Sequence, residues 1–329
     1  MESLEGKGGR YREPVSPDGY DAHESWKEHE EWVRSQPDYT EQVRQMDMFL
    51  NSISFSALHD IFEKESRQAQ IERPMHWVDR DHISLSAYHQ PGFHGMYSPP
   101  AGAIQIGIGK DNLPDDILSD RKIVLTVFHR LIHEYTHSVS GQDVTGRKSW
   151  WKERRIENAG FGQKHTDQTL WFAPKYRMLF DLFDEGVTET IAREVTLEYF
   201  AREPLTVGDM VINAEEARKR FAEKPGTTEN PGGYSTAVEF VQSLVQFLET
   251  NLNVPKDIVW KGLKRGYLRG TLIEGEFASL LDKTVGSSFT SALSKAKKVQ
   301  DLKSLAVDYD FPPLTGELTK EWLATLSRG

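Results

Sequence analysis

Cysteine is absent from all 329 residues of the chain. Disulfides, thiolate nucleophiles and thiolate-bound zinc are therefore excluded, and any metal site must be built from His, Asp or Glu. Basic charge is also in short supply: 40 Lys and Arg stand against 50 Asp and Glu, a formal net charge of −10. Phosphate binding needs a basic footprint, so nucleic acid is not expected as a partner. No apolar run approaches the length of a membrane span. The opening residues MESLEGKGGRYREPVSPDG lack the apolar core of a secretory signal. The expectation is a soluble protein with no membrane partner, cytoplasmic or exported without a cleavable signal peptide. The oligomeric state has no signature in the sequence. Hydrophobic residues make up 38% of the chain, enough to bury one large core or a core split into two lobes.

Residues 1–44 are polar and charged, and read as a largely irregular arm with one short helix near Ala22–Ser35. From Gln45 to Gln70 apolar residues recur at helical spacing. Alternation over residues 82–88 and 103–108 predicts strands, with Ile104, Ile106 and Ile108 on one face. A helix is expected from Asp115 to Ser140, with Pro114 before it, acidic residues in its first turn and Gly141 at its stop. Residues 141–175 show weak periodicity. Helices are expected over 176–202, 207–223, 235–251, 255–268, 272–285, 288–306 and 317–327, with Gly and Pro at the breaks. Three regions follow: the arm 1–44, an N-terminal lobe 45–175, and a helical C-terminal lobe 176–329.

The chemistry centres on His133-Glu134-Tyr135-Thr136-His137, an H-E-x-x-H run inside the expected helix. Residues four apart lie one turn apart on the same face, so both imidazoles reach one ion. Zinc lowers the pKa of a bound water to ~7, and Glu134, adjacent to the first ligand, is placed to take its proton as general base. A peptidase zinc needs a third protein ligand and one open position. The run Asp184-Glu185-Gly186-Val187-Thr188-Glu189 offers carboxylates for it.

H-E-x-x-H followed on a later helix by an E-G-x-T-E run resembles the gluzincin metallopeptidases, the thermolysin and aminopeptidase N clan. The resemblance covers roughly residues 95–285 and is sharp only in the two motifs. It implies a zincin-like α+β fold, with a small, mainly antiparallel sheet packed on the H-E-x-x-H helix. It also implies Glu185 as the third ligand of one zinc ion, and Glu189 as a carboxylate that orients a ligand histidine. Asp184 is the rival ligand. Two departures stand out. The 48 positions from His137 to Glu185 exceed the spacing in either branch. Gln105, in Gly102-Ala103-Ile104-Gln105-Ile106, stands where the aminopeptidase branch carries a Glu that grips the substrate amine.

Other residues take supporting roles. Clan members pair extended substrate with an edge strand beside the active-site helix, a part that falls to strand 103–108. They stabilise the oxyanion from a downstream Tyr or His, here Tyr234, with His165 and Tyr176 as alternatives. His129 precedes His133 by one turn, but three histidines over two turns diverge by ~80°. It is expected to be packed or to support a ligand from behind. The basic and aromatic run Arg147–Arg155 is expected to cover the cleft as a loop, strand or lid. The function expected is hydrolysis of a peptide bond in a peptide or protein substrate. Alternatives are a zinc hydrolase of another amide or ester bond, and a non-catalytic zincin-fold binding protein, against which the intact Glu134 argues.

Overall fold

In the computed structural model the described residues are 22–71, 75–86, 95–98, 102–107, 118, 120–148, 152–160, 162–169, 172–222, 234–270 and 276–326. The chain opens with α1 (Ala22–Ser35), where a short helix is expected, and the apolar periodicity of 45–70 falls on two helices, α2 (Thr40–Asn51) and α3 (Phe55–Gln68). Ser54 caps α3, its hydroxyl accepting the Ala57 N–H. The described part of the expected irregular arm is thus helical, and its Trp26 and Val33 are buried. Those two side chains supply the apolar face the helix needs.

Three short strands follow: β1 (Ile83–Ser86), β2 (Gly95–Ser98) and β3 (Ala103–Gly107). They form a sheet in the order β1-β3-β2, with β1–β3 parallel and β2–β3 antiparallel. β3 is therefore central, and every one of its residues is buried. This corrects the expectation of an edge strand at 103–108, since a strand hydrogen-bonded on both sides has no edge to offer a substrate. β2 is the edge that packs against the next helix.

That helix, α4 (Arg121–Val139), carries the H-E-x-x-H run. It starts later than the acidic pattern suggested. Asp120 is extended and caps it, its side chain accepting the Lys122 N–H, so the first turn is basic rather than acidic. Residues 111–117, on which the earlier start rested, lie outside the described ones.

The weakly periodic segment after α4 is a four-stranded antiparallel meander, β4 (Gln142–Lys148), β5 (Lys152–Ala159), β6 (Gly162–Thr169) and β7 (Phe172–Leu179). Its strands carry polar residues at consecutive positions, as in Lys152-Glu153-Arg154-Arg155, so no period of two is visible. The remainder is helical as expected, with three exceptions. Residues 176–179, expected to open a helix, belong to β7. Residues 205–212 form a hairpin, β8 (Leu205–Val207) and β9 (Met210–Ile212), turned at Gly208. The stretch 288–306 is two helices, α10 (Phe289–Leu293) and α11 (Val299–Asp308), because Asp301 takes the Lys297 and Lys298 N–H groups and starts a new helix. The others are α5 (Asp181–Arg202), α6 (Ala214–Ala222), α7 (Tyr234–Leu252), α8 (Lys256–Arg269), α9 (Glu276–Thr284) and α12 (Glu317–Leu326). The result is a mixed α+β protein whose hydrophobic core runs unbroken from Val33 to Trp322. Among the described residues no helix is long and apolar enough to cross a membrane.

Two close approaches fix the site. Gly186 lets α7 lie against α5, since a Cβ there would stand 2.7 Å from the Ala237 carbonyl oxygen. Beyond the end of α4, Gly141 meets Gly270, and the Gly141 carbonyl accepts the Gly160 N–H at 2.9 Å. Gly160 is left-handed, with φ +58, and a Cβ on it would collide with the Tyr267 ring and stand 2.6 Å from Asp184 Oδ1. Gly160→Ala is therefore expected to destabilise the protein by about 3 kcal/mol. Gly262→Ala, in the open interior of α8 with nothing near its Cβ, is expected to stabilise by about 0.5–1 kcal/mol. Urea denaturation of the two variants checks both signs; equal effects would contradict the packing described.

Candidate metal centre

Helix α4 carries His129, His133 and His137 at four-residue spacing, and α5 carries Glu185, Glu189 and Arg193 at the same spacing. The helices pack antiparallel, so the two series interleave. His133 Nδ1 lies 3.0 Å from Glu189 Oε2, and His133 Nε2 lies 3.1 Å from Glu185 Oε2. His137 Nε2 lies 3.7 Å from the other Glu185 oxygen. One nitrogen from each histidine and one Glu185 oxygen all fall within 4.8 Å of one another.

The donor set fits a cation. With its Nδ1–H given to Glu189, His133 turns Nε2 toward a carboxylate oxygen, and two acceptors at that separation need a positive centre between them. A tetrahedral zinc with ligands ~2.1 Å away sets them roughly 3.4 Å apart. The separations of 3.1 and 3.7 Å bracket that value. In the metal-free protein protons fill the gap. Burial disfavours charge on His133, but its hydrogen bonds to Glu185 and Glu189, with the charges of Glu185 and Glu134, hold its pKa well above the ordinary value. His137 is raised too, burial being outweighed by the charge and hydrogen bond of Glu185. Glu185 moves the opposite way: burial resists, yet the two histidines hold it below the usual carboxylate range.

Asp184 is not brought to the same point. It is buried, its Oδ1 accepts the Gly162 N–H at 3.0 Å, and its Oδ2 lies 3.8 Å from His137 Nδ1, on the far side of that ring. It joins the β5–β6 turn to the back of His137, a role the sequence gave no sign of. Phe180, left-handed at φ 58, makes the junction between β7 and α5 without a loop and delivers Asp184 and Glu185 to this position.

Glu134 lies beside the cluster, not in it. Tyr97 N–H on the edge strand β2 donates to its Oε2 at 2.8 Å. Gly95 leaves it room, because a Cβ there would lie 3.0 Å from Oε1. Burial pushes the Glu134 carboxyl up, against the lowering charges of His133 and His137. Tyr135, on the opposite face, anchors the helix by donating to the Val78 carbonyl at 2.9 Å.

Tyr234 opens α7, but its side chain lies outside the described residues, as do those of His165 and Tyr176. Arg193 is the residue that sequence reasoning missed. Its Nε donates to Glu189 Oε1 at 2.9 Å. The matched i, i+4, i+8 spacing of His129-His133-His137 and Glu185-Glu189-Arg193 was the signal that points to it.

Comparison with protein-family models, with curated proteins and with solved structures finds no match for this chain.

The metal-free site has a pH signature. His133 and His137 are raised, so their contribution to stability is complete below about pH 6.5 and lost as pH rises through the raised values. Glu185 and Glu189 are lowered, so theirs is present above about pH 4.5 and lost as pH falls through the depressed values. The metal-free protein is expected to be most stable between about pH 5 and 6.5 and to lose melting temperature above that, a loss saturating zinc removes. Melting curves against pH, with and without zinc, test this; a metal-free profile flat through the alkaline side would contradict it.

Proposed function

We propose that this chain is a zinc-dependent metallopeptidase of zincin-like organisation, hydrolysing peptide bonds in a peptide or protein substrate. The observation that carries the proposal is the placing of Glu134, held by a backbone N–H beside a three-donor cluster formed by His133, His137 and Glu185. A structural metal site closes its coordination with four protein ligands, whereas three donors with a neighbouring carboxylate are the arrangement of a hydrolytic centre.

His133, His137 and Glu185 would hold the zinc ion, which when bound would supply Lewis acidity toward a substrate carbonyl and toward water. The chain's own residues do the rest. Glu134 accepts the proton of the attacking water and delivers it to the leaving amine; burial, by raising its pKa, makes it a stronger base for the first task. Glu189 fixes the His133 tautomer by taking the Nδ1 hydrogen. β2 lies at the edge of its sheet, with Tyr97 in contact with Glu134, and an extended substrate adds alongside it through backbone hydrogen bonds. Tyr234 keeps the role of oxyanion donor as a proposal from the resemblance.

Glu134→Gln is expected to retain zinc and fold while losing about 10²–10⁴-fold in hydrolysis of a fluorescence-quenched peptide library. Glu185→Ala is expected to lower zinc affinity far more than Glu189→Ala, because only the former removes a direct ligand. Chelator-sensitive cleavage by the wild type that persists unchanged in Glu134→Gln would overturn the assignment of the base. Equal zinc affinity in the two alanine variants would overturn the assignment of the third ligand.

A further inference from the structure

We propose that His129 is a positioning residue of the metal centre, acting through Glu189 on His133; the proposal rests on the metal-centre assignment above. The hydrogen bonds fix its direction of action. The Thr196 hydroxyl gives its hydrogen to the Ala192 carbonyl at 2.7 Å, so it accepts from His129 Nδ1 at 3.1 Å. His129 Nε2 stands 3.0 and 3.1 Å from the two oxygens of Glu189, which only accept. Both His129 nitrogens are thus donors, and the ring cannot serve as a metal ligand while Glu189 and Thr196 hold it.

Glu189 is 4% exposed and receives His129 Nε2, Arg193 Nε and His133 Nδ1. Arg193 and His129 grip the side of this carboxylate away from the cluster and leave Oε2 aimed at His133. The backing is itself braced. The His129 ring meets Phe221 edge-on at 4.8 Å between centroids, and the Arg193 guanidinium lies 5.8 Å from the same ring. Arg193 is also 4% exposed, and its Nη1 is buried without a hydrogen-bond partner. A buried unsatisfied donor is unfavourable, so packing alone does not account for a guanidinium here; its Nε contact with Glu189 does. The consequence is a His133 ring whose tautomer and rotation are set two residues back from the metal. His129 completes that support by holding both oxygens of Glu189 at once.

The test uses the full chain, zinc affinity measured by competition with a chromophoric chelator, and the visible spectrum of the cobalt(II)-substituted protein. His129→Phe keeps the ring contact with Phe221 and loses both donors. Thr196→Val is nearly isosteric and removes the acceptor of Nδ1 together with the hydroxyl's bond to the Ala192 carbonyl within α5. His129→Gln keeps a donor toward Glu189. His129→Phe is expected to weaken zinc binding about tenfold and to shift the cobalt bands. Thr196→Val should move both readouts less and in the same direction, and His129→Gln should return them toward wild type. Wild-type affinity and spectrum in His129→Phe and Thr196→Val would overturn the positioning role and leave the metal centre standing. A wild-type protein that takes up neither zinc nor cobalt would overturn both. Should His129→Phe fail to fold, Thr196→Val decides alone.

Discussion

The antiparallel packing of α4 against α5 is the constraint on which everything else at the centre depends. Each helix brings a polar residue to the seam every four positions, and the offset lets each acid fall between two bases. Glu185 lies between His137 and His133, and Glu189 between His133 and His129. Buried ionisable groups are costly unless paired and hydrogen-bonded. Here the pairing is continuous, so a row of charges persists in the seam between the two helices. At one end the row closes on Thr196 and Arg193; at the other, Glu185 and His137 offer donor atoms to the proposed cation.

The rest of the molecule holds that seam in register. Gly186 admits α7 against α5, which presses α5 onto α4 from behind. Gly141, Gly160 and Gly270 bring the end of α4, the β5–β6 turn and the end of α8 together. Asp184 ties that turn to His137. The 48 positions between His137 and Glu185 therefore do not loosen the site. Both ends of the meander are fixed beside the helices that carry the donors. A long insertion costs little when its ends are held close together.

Elements with a strong local signature were legible in the sequence. The strand at 103–107 and most of the C-terminal helices follow from periodicity, and the His133–His137 face follows from helical geometry alone. What stayed hidden was of two kinds. The meander has polar residues on consecutive positions, so alternation could not reveal it. The place of β3 in the middle of its sheet, the grip of Asp184 on Gly162 and the buried Arg193 arise from contacts between segments far apart in the chain. An acidic residue beside a ligand gives no sequence sign of which side of an imidazole it will face. Asp184 and Glu185 are neighbours in sequence, yet one stands behind His137 and the other in front of it.

X-ray absorption at the zinc edge of the zinc-loaded protein tests the central claim most directly. Two imidazole nitrogens and carboxylate or water oxygens at about 2.0–2.2 Å, with the outer-shell scattering of two histidine rings, are expected. The same spectrum from Glu185→Ala should keep the two rings and lose a carboxylate contribution. A wild-type spectrum with no imidazole scattering, or with only one ring, would contradict a metal centre built on His133, His137 and Glu185.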